Sequence, residues 1–486
     1  MNYWEFGEQK MAKDSMKKYV FMYACSKYSL VIINIFFAAV MTRILTPEDY
    51  GIVAVVTVFT TLFLRLSDMG FGTAVVQRVD LSNDEVNDVF CVTVYIGLIL
   101  GLAFIILGFP LSAFYKNNVY VPVCVLLSVS VFFNSINIVP DAVIRREELF
   151  KKAAIRAFVV SVIGFIVALI MAVLGFKYYA LLGQTITTSI LTYLWNNHTS
   201  KLKFKLGSSI AVIKKIGKYG FFQFVYSFIN YFETNADNIL IGAMMGSTTL
   251  GYYDKAYKLS GYPIGMLNGV ISPVLHPVLK NYQNEKKVLL KRYLDIQKLF
   301  SMISMIIVIV CFTCSREIIT ILFGSQWEVS ILAFQMLSLS VYPRMMASTA
   351  MSVYCSIGNT KILARAGIIN TIITALAILL GITTGDIAIV ALFVSIASWI
   401  NMIVIFSILI IKGFKDSLIS FFGTFAKDIA FMIAATTVIY IVSGYVAIDN
   451  ILISLLIKCI VAGVFYIAFL CLTGEIKLIL RLFKRG

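Results

Sequence analysis

Charge is scarce in this sequence. Only 14% of its 486 residues are Asp, Glu, Lys or Arg, against about 25% in a soluble domain, which excludes a soluble globular protein. Low-complexity tracts are absent and apolar content is high, so the chain is not disordered either. There are just two histidines, His198 in a loop and His276 near a helix end, and no H-x-x-E-H-type metal spacing. A P-loop and a G-x-S-x-G elbow are also missing. These absences argue against an enzyme, a resident cofactor or metal, and a built-in ATPase. The eight cysteines (25, 91, 124, 311, 314, 355, 459 and 471) all lie in apolar runs. Cys311 and Cys314 form a C-x-x-C inside a hydrophobic stretch. They read as small apolar packing residues, because redox or metal chemistry needs an exposed thiolate. No cleavable signal peptide is expected, since the first 18 residues are polar and the first apolar run is long enough to span.

What is abundant is hydrocarbon. Sixty per cent of residues are hydrophobic and mean hydropathy is +0.90. Apolar runs of bilayer-spanning length recur along the chain, and they are too long for the alternating strands of a membrane barrel. The reading is an all-α polytopic membrane protein with about fourteen transmembrane helices. The spans fall at about 19–43, 50–69, 87–110, 119–142, 154–175, 178–197, 219–245, 251–279, 296–315, 327–357, 362–383, 386–411, 428–447 and 450–473.

The net charge of +16 tests their orientation. Outside the spans, the 41 Lys and Arg are concentrated in the N-terminal tail and the alternate loops after even-numbered spans, with few in the opposite loops. That bias predicts cytoplasmic termini and accounts for the charge without nucleic acid. The basic loop with Lys201, Lys203, Lys205, Lys214, Lys215 and Lys218 reads as a topology signal that can also touch anionic lipid headgroups.

Two regions echo each other. Lys18-Tyr19 recurs as Lys218-Tyr219, and Leu45 to Gly51 sits where Met245 to Gly251 sits, both at an offset of 200. Lys151 and Gly175 match Lys361 and Gly385 at an offset of 210. Spans 1–6 and 7–12 therefore read as two pseudo-symmetric six-helix lobes inserted in the same orientation. The expected organisation is a tail (1–18), an N-lobe (19–197), a basic linker (198–218), a C-lobe (219–411), helices 13 and 14 (412–473) and a basic tail (474–486). Two lobes around a central site form a transporter architecture that works by alternating access.

Polar residues are costly in hydrocarbon, so their spacing marks an interior. Span 7 carries Gln223, Tyr226, Asn230, Glu233 and Asp237 at helical intervals. Span 8 carries Lys255, Lys258, Tyr262, Gly265 and Gly269. Span 4 carries Ser130, Asn134, Asn137, Asp141 and Arg145, and span 2 carries Thr57, Thr61, Arg65 and Asp68. Spans 1 (Lys27) and 10 (Gln335 to Ser356) have further stripes, while spans 3, 5, 6, 9 and 11–14 read as nearly all apolar. The stripes predict a wet cavity; the competing reading is interhelical hydrogen bonding in packed helices.

Lys27, Arg65, Lys255 and Lys258 supply cations to these stripes, whereas Arg344 lies off the span 10 stripe. Glu233, Asp237, Asp141 and Asp68 are the acids. If Arg65 pairs with Asp68, Asp141 with Arg145 and Lys255 with Asp237, then Lys27 and Lys258 are left to meet an anion. In span 8, Pro263, Gly265 and Pro273 suggest a gate. The G-x-x-x-G spacings Gly265/Gly269 and Gly97/Gly101 read as close-packing sites.

The segments Ala39 to Gly51, Asp68 to Arg78, Asn235 to Gly242 and Leu250 to Tyr257 resemble the polysaccharide exporters and O-antigen flippases of the multidrug/oligosaccharidyl-lipid/polysaccharide exporter superfamily. The resemblance implies a V-shaped pair of six-helix lobes. It also implies a flippase that moves an undecaprenyl-diphosphate-linked oligosaccharide from the inner to the outer leaflet for surface polysaccharide biosynthesis. Lys27, Arg65, Lys255 and Lys258 become diphosphate contacts; Tyr226, Tyr262 and Tyr342 are expected to face sugars, and Asn230 is a further substrate contact. Glu233, Asp237 or Asp141 would take up H⁺ or Na⁺. Membrane lipids and other polysaccharide assembly proteins are the further candidate partners of an expected monomer. The alternatives are a cation-coupled multidrug exporter of the same superfamily and an integral polysaccharide polymerase.

Overall fold

The computed structural model describes residues 30–78, 80–205, 231, 234–280, 285–350, 353–354, 360–445 and 449–476, with side chains except at 269–280 and 360–365. The described residues form helices and turns and contain no strand. In order, the first helices are α1 (Leu30–Ile44), α2 (Pro47–Asp68), α3 (Phe71–Gln77), α4 (Asn83–Phe114) and α5 (Tyr120–Ile136). Then come α6 (Ile138–Arg146), α7 (Phe150–Val173), α8 (Tyr179–Ser200) and α9 (234–245). The remainder are α10 (Ser247–Lys280), α11 (Lys286–Thr313), α12 (Ser315–Phe323), α13 (Val329–Ser338), α14 (Val341–Ser348), α15 (Thr360–Ile382), α16 (Ile387–Ile408), α17 (Leu418–Gly423), α18 (Ala426–Tyr445) and α19 (Ile451–Thr473). Eight stretches of described helix are long and apolar enough to cross a membrane, and shorter apolar helices accompany them. The chain is an all-α, multi-pass membrane protein.

Local signals set the helix ends. Thr46 and Asp49 form a reciprocal capping box at the start of α2, with Pro47 in the first turn, and Ser82 and Glu85 do the same for α4. Asp386 and Asn450 cap α16 and α19. The glycines in the turns before α8 and α16, Gly175 and Gly385, have φ of +85° and +73°, a conformation in which a side chain would be strained. These two turns are the pair matched at an offset of 210 in the sequence. The helix starts keep the same registers: Pro47 and Ser247 at 200, Phe150 and Thr360 at 210.

Two features depart from the sequence reading. Spans 4 and 10 are not continuous: α5 gives way to α6 at Asn137, and α13 to α14 at Leu339–Ser340. The short helices α3, α12 and α17 occupy stretches assigned to loops.

The described chain packs as two compact units, one ending at Gly251 and the other beginning at Tyr252. Lipid tails are as apolar as leucine, so helices in a bilayer associate through close packing and hydrogen bonds rather than by escape from water. In the first unit, small residues provide that packing. A Cβ on Gly97 would lie 3.1 Å from the Ser135 Cβ, and one on Gly108 would lie 3.1 Å from the Cys124 Cβ, so α4 rides directly on α5. Below them, Phe71, Val75, Phe90 and Val139 make a compact core from α3, α4 and α6. In the second unit, Phe300, Met305 and Ile309 of α11 pack with Met345, Phe406, Met432 and Phe469 from α14, α16, α18 and α19.

The tightest contact joins the repeat-equivalent glycines of α2 and the first turn of α10. A Cβ on Gly51 would fall 1.7 Å from the Ser247 carbonyl oxygen, and one on Gly251 would fall 1.9 Å from that of Pro47. The obstructing atoms are backbone, so no side chain can move aside. By contrast, a Cβ on Gly265 meets nothing within 4 Å. That corrects the reading of Gly265 as a close-packing glycine, whereas Gly97 fits it. Gly51→Ala and Gly251→Ala should each cost about 1–3 kcal/mol, the usual range for overpacking. Gly265→Ala should cost nothing. Thermal unfolding of the purified protein in detergent checks both.

Candidate functional site

Most long helices in this chain turn apolar side chains outward. Leu98, Ile99, Leu102, Ile106 and Phe109 of α4 are exposed, as are Leu452, Leu456, Ile460 and Val464 of α19. Two helices invert that pattern. On α2 the exposed residues are Glu48, Thr57 and Arg65, and on the described side chains of α10 they are Thr248, Lys258 and Gly265. Among the described side chains neither helix exposes an apolar one. Glu48 and Thr248, and Arg65 and Gly265, are repeat equivalents at an offset of 200. Faces of this composition suit water, not lipid. Each carries a predicted cation, Arg65 in the first unit and Lys258 in the second.

The surroundings of those cations differ. Arg65 is exposed and has no ion pair among the described residues, so the expected Arg65–Asp68 pair is absent. Asp68 instead accepts the backbone N–H of Gly72 at 3.1 Å, folding the chain from α2 into α3. Lys258 lies 2.8 Å from Asp254, one turn before it on α10, which corrects the expectation that Lys258 is left unpaired. The Asp254 side chain is 3% exposed and that of Lys258 54%, so the ammonium still reaches solvent. Lys255 is buried on the same helix, and Tyr262 and Pro263 are half-buried. The helix runs unbroken through Pro263 and Pro273; the Pro273 side chain lies outside the described set. Arg344, in the first turn of α14, stacks on the Tyr257 ring at 4.8 Å and donates to its hydroxyl at 3.2 Å.

Other predicted site residues are tied up in packing. Asp141 forms ion pairs with Arg145 at 3.2 Å and Arg156 at 3.0 Å. Arg156 also donates to Asn196, whose amide in turn donates to Asn137 at 2.8 Å. The lower half of the span 4 stripe is therefore an interhelical network with α7 and α8 rather than a cavity wall. The same correction applies to span 10. The Tyr342 hydroxyl meets Ser301 at 2.8 Å and its ring stacks on Trp399, while Thr349 bonds to Tyr293 at 3.0 Å. Tyr342 and Thr349 are fully buried. Asp237 is buried and accepts the N–H of Asn238 at 2.8 Å. Lys27, Tyr226, Asn230 and Glu233 lie outside the described residues.

Sequence reasoning missed two charged clusters on helices it read as apolar. In one, Lys298 of α11 sits 2.6 Å from both Asp428 of α18 and Glu475 just beyond α19. Asp428 is fully buried and also accepts from Ser301. In the other, Lys458 of α19 pairs with Glu317 of α12 at 2.6 Å, and Ser454 donates to the same oxygen at 2.6 Å. These clusters pin helices 13 and 14 to the second unit. The signal was present as single charges inside apolar runs, but their partners lie more than 100 residues away. A separate cavity of about 420 Å³ sits at the start of α2, lined by Thr46, Glu48, Asp49, Asn117, Lys177 and Tyr178. Asp49 braces its wall by accepting the Tyr178 N–H at 3.0 Å. Just outside α4, burial pushes the Tyr115 hydroxyl up to about 12, so it stays protonated and donates to the Ile239 carbonyl.

Comparison with known proteins adds an independent line. Residues 40–332 match the family model described as polysaccharide biosynthesis protein. The teichuronic acid biosynthesis protein TuaB of Bacillus subtilis (strain 168) is 22% identical over 353 residues, 72% of each chain. The succinoglycan biosynthesis transport protein ExoT of Rhizobium meliloti (strain 1021) is 19% identical over 364 residues, 75% of this chain and 74% of its own. Among solved structures, the lipid II flippase MurJ in an inward closed conformation superposes with a TM-score of 0.76. It covers 94% of this chain and 99% of MurJ at 17% identity, and shows a shared fold.

The buried clusters make a direct prediction. Lys298→Ala leaves the Asp428 carboxylate buried without its cation and should cost about 3–5 kcal/mol. The double variant with Asp428→Asn should recover most of that loss. Equilibrium unfolding in detergent checks both; equal stability of the two variants would contradict it.

Proposed function

The chain belongs to the polysaccharide biosynthesis protein family, and from that premise we propose that it is a flippase for a lipid-linked oligosaccharide. The observation that carries this reading is the inverted surface of α2 and α10. The physical obstacle to flipping is the headgroup. Burying an ionised phosphate without a partner costs tens of kcal/mol in the Born limit, and each sugar adds hydroxyls. Accessible polar faces bearing Arg65 and Lys258 lower that barrier, while the prenyl tail stays in lipid.

The Asp254–Lys258 pair leaves the ammonium accessible: the Lys258 side chain is 54% exposed, that of Asp254 only 3%. A phosphate oxygen can reach Lys258 while the buried carboxylate keeps its contact, since stripping the cation from that carboxylate would be costly. The buried Lys255 beneath adds positive potential. In this reading the cargo is an undecaprenyl-diphosphate-linked oligosaccharide moving from the inner to the outer leaflet of the bacterial plasma membrane. The termini are cytoplasmic, the protein acts as a monomer, and no catalytic step is required. Coupling to H⁺ or Na⁺ would fall to Asp237 and Glu233, since Asp141 is held by two arginines.

A strain lacking the protein should accumulate a polyprenyl-diphosphate oligosaccharide on the cytoplasmic leaflet, read by mass spectrometry of extracted lipids. The wild-type gene should clear it. The Lys27→Ala/Lys258→Ala double variant should not, because each charged contact to phosphate is worth roughly tenfold or more. No accumulation, together with heightened sensitivity to small toxic compounds, would instead indicate the drug-exporter branch.

A further inference from the structure

Arg344 has no ion pair among the described residues. The second unit's described ion pairs are Asp254 with Lys258, Asp428 and Glu475 with Lys298, and Glu317 with Lys458. Arg344 forms none of these ion pairs. One face of its guanidinium is covered by the Tyr257 ring and one nitrogen bonds the Tyr257 hydroxyl, but Nη1 is buried without any partner. A buried guanidinium N–H left unbonded is costly.

Its place in the fold adds a second observation. Arg344 follows the break between α13 and α14, and it lies between the helical residues Val329 and Tyr354, well inside the span. Ser338 and Ser340 turn their hydroxyls back onto the Gln335 and Leu337 carbonyls at the break. In membrane transporters, interrupted helices near the bilayer centre commonly build the sites for anionic groups. The planar, delocalised guanidinium fits phosphate oxygens in a way that a lysine does not. Tyr257 holds it to one rotamer, and Tyr257 is flanked on α10 by the buried Lys255 and the exposed Lys258.

We propose that Arg344, clamped by Tyr257, anchors the phosphate of a lipid-borne headgroup in the second unit. The flippase reading supplies the identity of that headgroup; the unmatched guanidinium at the broken helix supplies the site. The span 10 stripe does not reveal it, because Arg344 lies two residues after Tyr342 on α14 and so falls on a different side of the helix.

The test is binding to the purified full-length protein in detergent, with farnesyl diphosphate, farnesol and inorganic pyrophosphate as probes. Wild type should bind farnesyl diphosphate at least about tenfold more tightly than farnesol or pyrophosphate. Arg344→Gln should abolish that preference, Arg344→Lys should retain part of it, and Tyr257→Leu should weaken it with the arginine still present. Melting temperature, read in parallel, reports folding. A preference preserved in Arg344→Gln and Tyr257→Leu would overturn the proposal and leave Arg344 a packing residue. Equal binding of pyrophosphate and farnesyl diphosphate would overturn the lipid-borne source. Failure of the flippase reading shows separately, as normal lipids in the strain lacking the protein.

Discussion

Hydrocarbon offers no hydrogen-bond partners, so every polar side chain within a span must find a partner inside the protein or be turned toward water. This chain uses both solutions, on different helices. Asp141, Asn196, Asp428 and Glu317 are bonded to side chains of other helices, and Gln297 donates to Tyr293 and to the Met346 carbonyl. Thr57, Arg65 and Lys258 are instead exposed on helices whose described side chains expose nothing apolar. Paired polar groups hold a bundle together; accessible ones on an inverted face give a polar cargo somewhere to travel. The functional argument rests on telling these two groups apart.

The same constraint shapes the scaffold. Without water to drive helices together, their association depends on how closely backbones approach. Glycines on α4 settle it onto α5, and Gly51 and Gly251 bring two helices to backbone contact at equivalent positions of the repeat. Buried ion pairs do a similar job for the last two helices. Lys298 and Lys458 hold α18 and α19 to the second unit through Asp428 and Glu317. Such pairs add less to net stability than their contacts suggest, but removing one partner is severe.

Much of the fold was legible because membrane helices are written in length and hydropathy. The offsets of 200 and 210, read from a few identities, reappear as matching helix starts and as the paired left-handed glycines Gly175 and Gly385. The site was harder to read. Helical spacing alone cannot separate a stripe that faces water from one that faces another helix. The stripe with Thr57 and Arg65 proved accessible, while those with Asp141 and Tyr342 proved packed. Arg156 and Asn196 went unnoticed because they sit at polar helix ends, Arg156 just after Lys151 and Lys152 and Asn196 beside Asn197 and His198, where a polar residue reads as loop. Arg344 was set aside because it lies two residues from Tyr342 on α14, off the polar stripe. Partners distant in sequence, such as Lys298 and Asp428, leave no local trace.

The central claim is that the exposed faces of α2 and α10 meet water within the membrane-spanning region. Single cysteines at Thr57, Thr61 and Gly261, in a background lacking native cysteines, can be challenged in intact membranes with a water-soluble maleimide. Leu102 of α4 and Ile460 of α19 serve as lipid-facing references. The account predicts rapid labelling at the three sites on α2 and α10 and little at the references. Labelling at Thr57 and Gly261 as slow as at Leu102 would contradict it.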